Sequence, residues 1–268
     1  MEKMVLGKEK RLNRLFNNSG NIIIVPMDHG ITLGPIKGID CIQDTVSKLV
    51  KSNVDAILLH KGLINSCEKE LINKNVATIM HLSASTSLNP SSGIKTVVGS
   101  VFEAVAFGCD AVSVHINIGN EYESEMFRDI SKVSRDCYKY GMPLIAMMYA
   151  RGKEITDENN VEVVKHAARV GAELGADIVK VNYTGSRETF KMVVDTCPVP
   201  VVISGGEKVD SNIEFLRYIN DAIMAGARGV SIGRNIFQSE DMELLVKAIY
   251  KIVNLKEPIE RVISELYV

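Results

Sequence analysis

The segment GADIVKVN at residues 175–182 shows the pattern that decides the fold, which is a small-residue turn followed by a short apolar run. The pattern recurs as NVDAILLH at 53–60, GCDAVSVH at 108–115 and GARGVSIG at 226–233. Successive copies begin 55, 67 and 51 residues apart. These intervals are about twice the ~30 residues of one strand–helix unit, so each interval is expected to contain one more strand.

Apolar runs that meet this expectation lie at 77–81, 143–149 and 200–204, and another at 22–27 precedes the first copy. Stretches with apolar residues at helical spacing separate the runs, at about 40–52, 94–107, 122–140, 159–174, 187–196, 211–225 and 239–253. Eight apolar strands that alternate with helices are typical of a parallel sheet that is covered outside and closes on itself. The sequence therefore predicts a single (β/α)₈ TIM-barrel domain over 1–268 with a short N-terminal helical extension. An open, doubly wound sheet is the alternative.

Composition narrows the class of partner. The chain has 268 residues and a net charge of −2, which favours neither nucleic acid nor an anionic membrane surface. Its five cysteines are far apart and form no CxxC pair, which is typical of reduced thiols in a cytoplasmic protein. No apolar stretch has the length of a signal core or a membrane span. A cytoplasmic enzyme of small molecules is expected.

Lys180 interrupts an apolar strand, where a solvated lysine has no structural reason to lie. With the period-two alternation of a strand, Ile178, Lys180 and Asn182 share one face, which is expected to point into the barrel. Burial favours the uncharged amine, which can attack a ketone to form an imine. The alternatives are a lysine that extends to the rim, one that pairs with Asp28, and a counter-ion in a barrel that only binds a phosphorylated ligand.

Catalytic groups of such barrels lie at the carboxyl ends of the strands, where Asp28 and Tyr149 follow the first and fifth runs. Both can move protons on a substrate held at the sixth strand. Alternatively, Asp28 caps a loop and Tyr149 is a rim aromatic. Further strand-end residues are expected to contact the substrate: His29, Gly30, Lys61, Ala150, Arg151, Asn182 and Ser204.

Glycine pairs after the last two strands suggest a phosphate site. The backbone N–H groups of Gly205, Gly206, Gly233 and Arg234 can converge on an anion, and the Arg234 side chain adds a positive charge. Glycines that only form tight turns are the alternative.

Histidines stand at four strand ends. His29, His60, His81 and His115 could serve a metal-dependent aldolase or hydrolase if two or three of them converged with a carboxylate. A lone rim histidine is more often simply hydrogen-bonded, so we expect no metal site.

Five segments together resemble the archaeal-type class I aldolases: VPMDHG at 25–30, HKG at 60–62, GMPLIAMMYARGK at 141–153, AARVGAELGADIVKVNYTG at 167–185 and GVSIGRNIFQ at 229–238. The resemblance runs from about residue 7 to 253. Ala150, Glu207 and the pair Ala84-Ser85 depart from the family pattern, which puts substrate contacts in question but not the three catalytic positions.

The resemblance implies that Lys180 forms the Schiff base, that Tyr149 donates the proton and that Asp28 acts as acid and base. It also implies that no cofactor or metal is needed and that the protein is a homo-oligomer, a ring-based decamer. Within the family, the motifs are most similar to the heptulosonate synthase branch. That branch joins part of a phosphorylated, ketose-like substrate to L-aspartate semialdehyde. Fructose-bisphosphate aldolase is the alternative within the family.

Overall fold

Eight parallel strands close into a barrel in the computed structural model, which describes residues 6–72, 74–89 and 93–266. In chain order the strands are β1 (Ile22–Pro26), β2 (Ala56–Leu59), β3 (Ala77–His81), β4 (Ser83–Ala84), β5 (Thr96–Val97), β6 (Ala111–Ile118), β7 (Leu144–Ala150), β8 (Ile178–Val181), β9 (Val201–Ser204) and β10 (Gly229–Ser231). The barrel order is β1-β2-β3-β6-β7-β8-β9-β10, with β10 paired to β1. The predicted (β/α)₈ barrel is confirmed, and the open sheet is wrong.

Helices cover the barrel and connect its strands. They are α1 (Leu6–Leu15), α2 (His29–Leu33), α3 (Ile42–Leu49), α4 (Lys61–Ser66), α5 (Glu68–Leu71), α6 (Val101–Ala106), α7 (Glu123–Tyr140), α8 (Val161–Glu173), α9 (Arg187–Thr196), α10 (Asn212–Met224), α11 (Arg234–Phe237), α12 (Met242–Val253) and α13 (Ile259–Glu265). Among the described residues, no helix is both long enough and apolar enough to cross a membrane.

Strand alternation divides the buried apolar residues into two layers. The inner layer fills the barrel with residues such as Ile24, Leu58 and Ile178, whereas the outer layer lies between strands and helices. Leu15 of α1 is fully buried against the inner layer, so this N-terminal helix closes the barrel at the amino ends of its strands. Polar side chains inside the barrel are therefore expected only towards the opposite mouth.

A hairpin stands where the sequence predicted the start of a helix. The helix expected at 94–107 begins only at Val101, and β4 pairs antiparallel with β5 before it. The start is set by a capping box, in which the Ser100 hydroxyl accepts from the Glu103 amide and the Glu103 carboxylate accepts from the Ser100 amide. The short helices α2, α4, α5, α11 and α13 also lie outside the predicted helices.

Candidate active site

Lys180 lies in the wall of the barrel with 6% of its surface exposed. It is paired in register with Met147 of β7 and Val202 of β9, both of the inner layer, so its side chain shares the inward face as expected. No carboxylate of the described residues lies within 4 Å of its Nζ, so Lys180 and Asp28 form no ion pair. A buried amine without a salt-bridge partner is suited to nucleophilic attack on a carbonyl.

Tyr149 stands on the same inward face, one pleat beyond Met147 on the neighbouring strand. Its ring centre lies 4.8 Å from the ring centre of His115 and 4.5 Å from the Arg151 guanidinium. These contacts hold the phenol at the barrel mouth, on the strand next to that of Lys180.

Asp28 follows β1 and faces the mouth from the other side. Its Oδ1 lies 3.6 Å from Nδ1 of His29, and its Oδ2 lies 3.6 Å from Nε2 of His81. Burial raises the pKa of the Asp28 carboxyl, but His81, His29 and Lys180 oppose this, and the net pKa lies below the usual range. Asp28 is therefore a carboxylate at neutral pH and is positioned to accept a proton.

Two histidines at the mouth, His81 and His115, are uncharged groups held in place by hydrogen bonds. Burial lowers the pKa of His81 to about 3, and its Nδ1 lies 2.7 Å from the Ser113 hydroxyl. Burial also lowers the pKa of His115, whose Nε2 lies 2.8 Å from Oδ1 of Asn117. Across 6–72, 74–89 and 93–266, no three His, Cys, Asp or Glu side chains converge as metal ligands.

The two glycine loops present four amides to the mouth. Within the described part of the chain, the N–H groups of Gly205, Gly206, Gly233 and Arg234 donate to no other residue. Gly206 has φ +65°, and a Cβ on Gly233 would lie 2.5 Å from the Pro26 carbonyl oxygen, so both positions require glycine. The loops combine unpaired amides with close backbone approach, which suits an anion.

A cavity of about 550 Å³ opens between these loops and β7, and we call it the glycine pocket. Its walls include Arg151, Asn182, Ser204, Gly205, Gly206 and Arg234. The Ser204 hydroxyl donates to Oδ1 of Asn182 over 2.7 Å. The buried Nε of Arg234 has no hydrogen-bond partner among the described residues, and its Nη1 lies 3.5 Å from the highly exposed Glu207 carboxylate. Arg234 therefore retains donor capacity for a ligand.

Three expected contact residues lie apart from this cluster. Lys61 extends to Glu103, with 2.7 Å between Nζ and Oε1. Ala150 packs in the outer layer, because it alternates with the inward Tyr149. Gly30 lies inside α2, where its carbonyl accepts from Gly34.

Two residues that sequence reasoning missed belong to the site. Asn235 is 1% exposed and bonds to the loop after β9 at three points, donating to the carbonyls of Gly205 and Glu207 and accepting from the amide of Val209. Lys95 lies before β5 and donates to the Ser85 hydroxyl. Asn235 directly follows the motif residue Arg234, which was a signal. Lys95 gave no such signal, because the sequence pattern predicts a helix over its segment.

Comparisons with known proteins show the family of this chain. A profile of the DeoC/LacD family aldolases matches residues 22–239. The chain is similar to 2-amino-3,7-dideoxy-D-threo-hept-6-ulosonate synthase 1 of Archaeoglobus fulgidus, with 45% identity over 97% of this chain and 96% of the relative. It is 40% identical to 2-amino-4,5-dihydroxy-6-oxo-7-(phosphonooxy)heptanoate synthase of Streptomyces griseus, over 86% of this chain and 84% of the relative.

A solved structure with the same fold contains a covalent reaction intermediate. It is an archaeal fructose-1,6-bisphosphate aldolase with its catalytic lysine covalently bound to the carbinolamine intermediate, and it superposes with a TM-score of 0.86 at 30% identity. The alignment covers 92% of this chain and 99% of that one. The prediction of an aldolase-type enzyme is confirmed, and the binding-only barrel is not supported. The chain belongs to the DeoC/LacD family of aldolases, and it is a class I, Schiff-base aldolase.

Proposed function

We propose that the chain is a 2-amino-3,7-dideoxy-D-threo-hept-6-ulosonate synthase in which Lys180 carries the substrate. The observation that carries the proposal is the buried amine of Lys180, without a carboxylate within 4 Å among the described residues, on the same inward face as Tyr149. The 45% identity to the Archaeoglobus fulgidus synthase over nearly the whole chain supports this substrate class.

The first half-reaction cleaves the donor, 1-deoxy-D-threo-hexo-2,5-diulose 6-phosphate. The Lys180 amine attacks the methyl ketone at C2, and loss of water gives a protonated imine. Asp28 takes the proton of the C4 hydroxyl, the C3–C4 bond breaks, and its electron pair forms an enamine on Lys180. The aldehyde that leaves is 2,3-dioxopropyl phosphate.

The second half-reaction reverses the sequence with another aldehyde. C3 of the enamine attacks the aldehyde carbon of L-aspartate semialdehyde, and Tyr149 donates a proton to the new alkoxide. The proton that Asp28 took in the first half-reaction then returns to the Tyr149 phenolate, so both groups are restored. Water then hydrolyses the imine, which frees the amino-keto acid and restores Lys180. The protonated imine is the electron sink throughout. The residues therefore suffice for a metal-free exchange.

Two other assignments share these catalytic residues. One is fructose-bisphosphate aldolase, which the 30% identity to the archaeal enzyme favours less strongly than the 45% identity favours the synthase. The other follows the Streptomyces griseus relative, whose product name places a phosphonooxy group beside the ketone. The glycine pocket favours this assignment, because the loops after β9 and β10 offer unpaired amides, and β9 is the strand next to Lys180.

Product analysis separates the three assignments. Purified enzyme is supplied with the diulose phosphate, fructose bisphosphate or dihydroxyacetone phosphate, each with and without aspartate semialdehyde, and products are identified by mass. We expect a phosphate-free seven-carbon product from the diulose phosphate only when the semialdehyde is present. If fructose bisphosphate is the only donor that the enzyme cleaves, or if the only seven-carbon product carries a phosphate, the assignment is overturned.

Borohydride reduction tests the chemistry separately from the substrate. Reduction with a ketone donor is expected to trap the imine as a stable amine on Lys180, and Lys180→Met should abolish the adduct. Lys61→Met is the matched control, because this lysine is paired with Glu103 and should leave trapping unchanged. An adduct on another lysine would contradict the proposed role of Lys180.

A further inference from the structure

Lys95 is held over the barrel mouth by an anchored hairpin. The segment before it is tied to β6, where the Asn117 amide donates to the Gly93 carbonyl over 2.7 Å. The opposite arm is tied to α2, where the Thr32 hydroxyl donates to the Ser85 carbonyl over 3.0 Å. The Lys95 ammonium donates to the Ser85 hydroxyl, so these anchors fix its position.

Lys95 differs from the other cations at this mouth in its partners. Lys61 is paired with Glu103, Arg151 with Glu158 and Arg234 with Glu207. Lys95 has no carboxylate within 4 Å in the described ranges, although its side chain is partly buried. Burial lowers the pKa of Lys95, the charge of Arg151 lowers it further and Asp28 opposes both. A partly buried cation beside a second cation is stabilised by an anionic ligand.

The barrel order places Lys95 and the two glycine loops on opposite sides of Lys180. The loops follow β9 and β10, which lie beyond β8 in one direction around the barrel, although the pocket that they line extends to Arg151 after β7. The Lys95 hairpin lies over β3 and β6, where the Ser83 hydroxyl accepts from the His115 amide, and these strands are reached from β8 in the other direction. A substrate held at Lys180 can therefore direct its ketone half to one side and its aldehyde half to the other.

The two aldehydes of the exchange carry their anionic groups at similar distances from the aldehyde carbon. In 2,3-dioxopropyl phosphate the phosphorus is four bonds from the aldehyde carbon, and in aspartate semialdehyde the carboxylate carbon is three bonds away. Both aldehyde carbons bond to the same enamine carbon, so their anionic ends occupy the same region in turn. One fixed cation can serve both.

We propose that Lys95 is the specificity-determining residue for the aldehyde half, binding in turn the phosphate of the leaving aldehyde and the carboxylate of the entering one. The inference rests on the proposed Schiff-base exchange at Lys180. Lys95 needs no covalent step, because it selects anionic aldehydes and orients them towards the enamine. The glycine pocket is then left for a phosphate on the ketone half.

The test compares charged and uncharged acceptors in Lys95→Met. In a ping-pong exchange, kcat/KM for the acceptor reports the second half-reaction alone, whichever ketose the enzyme cleaves as donor. The matched pairs are succinic semialdehyde with butanal and glyceraldehyde 3-phosphate with glyceraldehyde, with aspartate semialdehyde measured beside them. We expect kcat/KM to fall about 10- to 100-fold for the anionic aldehydes and less than about twofold for the uncharged ones.

Controls separate a specific role from a structural one. Lys95→Arg should restore most of the preference for anions, and Lys153→Met, which removes a rim charge that is 85% exposed, should change neither member of a pair. Equal losses for charged and uncharged aldehydes, or none, would overturn the proposal. So would loss of the preference in Arg234→Met but not in Lys95→Met, because the anion would then lie in the glycine pocket.

The two proposals fail in different ways. If glyceraldehyde 3-phosphate is used but aspartate semialdehyde is not, the synthase assignment is wrong, and the phosphate pair still tests Lys95. If aspartate semialdehyde is used equally well by Lys95→Met and wild type, the synthase assignment stands and the role of Lys95 is wrong.

Discussion

Replacing Asn235 by alanine is expected to loosen the glycine pocket and to cost stability. The side chain makes three hydrogen bonds of 2.8–2.9 Å to the loop after β9, and it is almost fully buried. A buried hydrogen bond contributes about 1 kcal/mol net, so Asn235→Ala should lower the free energy of unfolding by about 3 kcal/mol. The unpaired carbonyls of Gly205 and Glu207 would then move towards water, and the loop amides would move with them.

The assay measures stability and function on the same variants. Urea unfolding followed by circular dichroism gives the free energy, and steady-state kinetics with the proposed donor gives kcat/KM. We expect kcat/KM to fall about 10- to 100-fold, because this loop continues β9, which is paired with Lys180, and misplaced groups beside the reacting amine are costly. Asn21→Ala is the matched control, since Asn21 is also a buried asparagine that donates to a carbonyl, that of Val253, but lies before β1 at the closed end of the barrel. It should lose stability without losing kcat/KM. If Asn235→Ala unfolds within about 0.5 kcal/mol of wild type, or if Asn21→Ala loses activity equally, the reasoning about the loop is refuted.

Three further predictions concern other parts of the site. Tyr149→Phe removes only the phenol hydroxyl and should lower turnover by about 10²–10⁴-fold while borohydride trapping on Lys180 persists; near-normal turnover would make Tyr149 a rim aromatic. Gly233→Ala places a Cβ 2.5 Å from the Pro26 carbonyl oxygen, so it should lower the free energy of unfolding by about 1–3 kcal/mol. It should also weaken inhibition by inorganic phosphate. Unchanged inhibition would show that this loop does not bind the anion. The free energy of unfolding should fall as the pH drops below 6.5, because the unfolded state protonates His81 near that pH whereas the folded state does so only at about 3. Between pH 6.5 and 5 this histidine alone accounts for at most ~2 kcal/mol, and His81→Asn should flatten that part of the urea-unfolding pH profile.

The barrel could be predicted because its signal is repeated along the chain. Each apolar run buries both faces and each helix has an apolar stripe, so the alternation of strands and helices can be recognised without tertiary information. Lys180 and Asp28 could be predicted as site residues for a related reason, since a charged residue within or directly after a buried run has few roles other than a catalytic one. The inward direction of Lys180 follows from strand alternation, and the structure agrees.

Lys95 and Asn235 could not be placed in the same way, because their positions depend on contacts distant in sequence. The segment around Lys95 forms a two-residue strand pair whose anchors are Thr32 and Asn117, and no local pattern distinguishes it from a frayed helix start. The Ser100 and Glu103 capping box was the available signal that the helix begins later. In the sequence, Asn235 resembles any polar residue after a glycine turn, because its contacts with the loop after β9 appear only in the folded structure.

From the charges at the mouth we infer a second task for Asp28, besides the proton transfer that we propose for it. At neutral pH His81 is uncharged, because burial lowers its pKa to about 3, so the cation that faces the Asp28 carboxylate from the barrel wall is Lys180. When the lysine condenses with a ketone, a neutral imine would leave that partly buried carboxylate without its opposing charge, whereas a protonated imine preserves it. Asp28 therefore favours the protonated imine, which is the form that accepts electrons when the carbon–carbon bond breaks. In the proposed mechanism, the carboxylate that removes the hydroxyl proton thus also stabilises the electron sink, and this dual role reconciles a partly buried acid at this position with a lysine that must react.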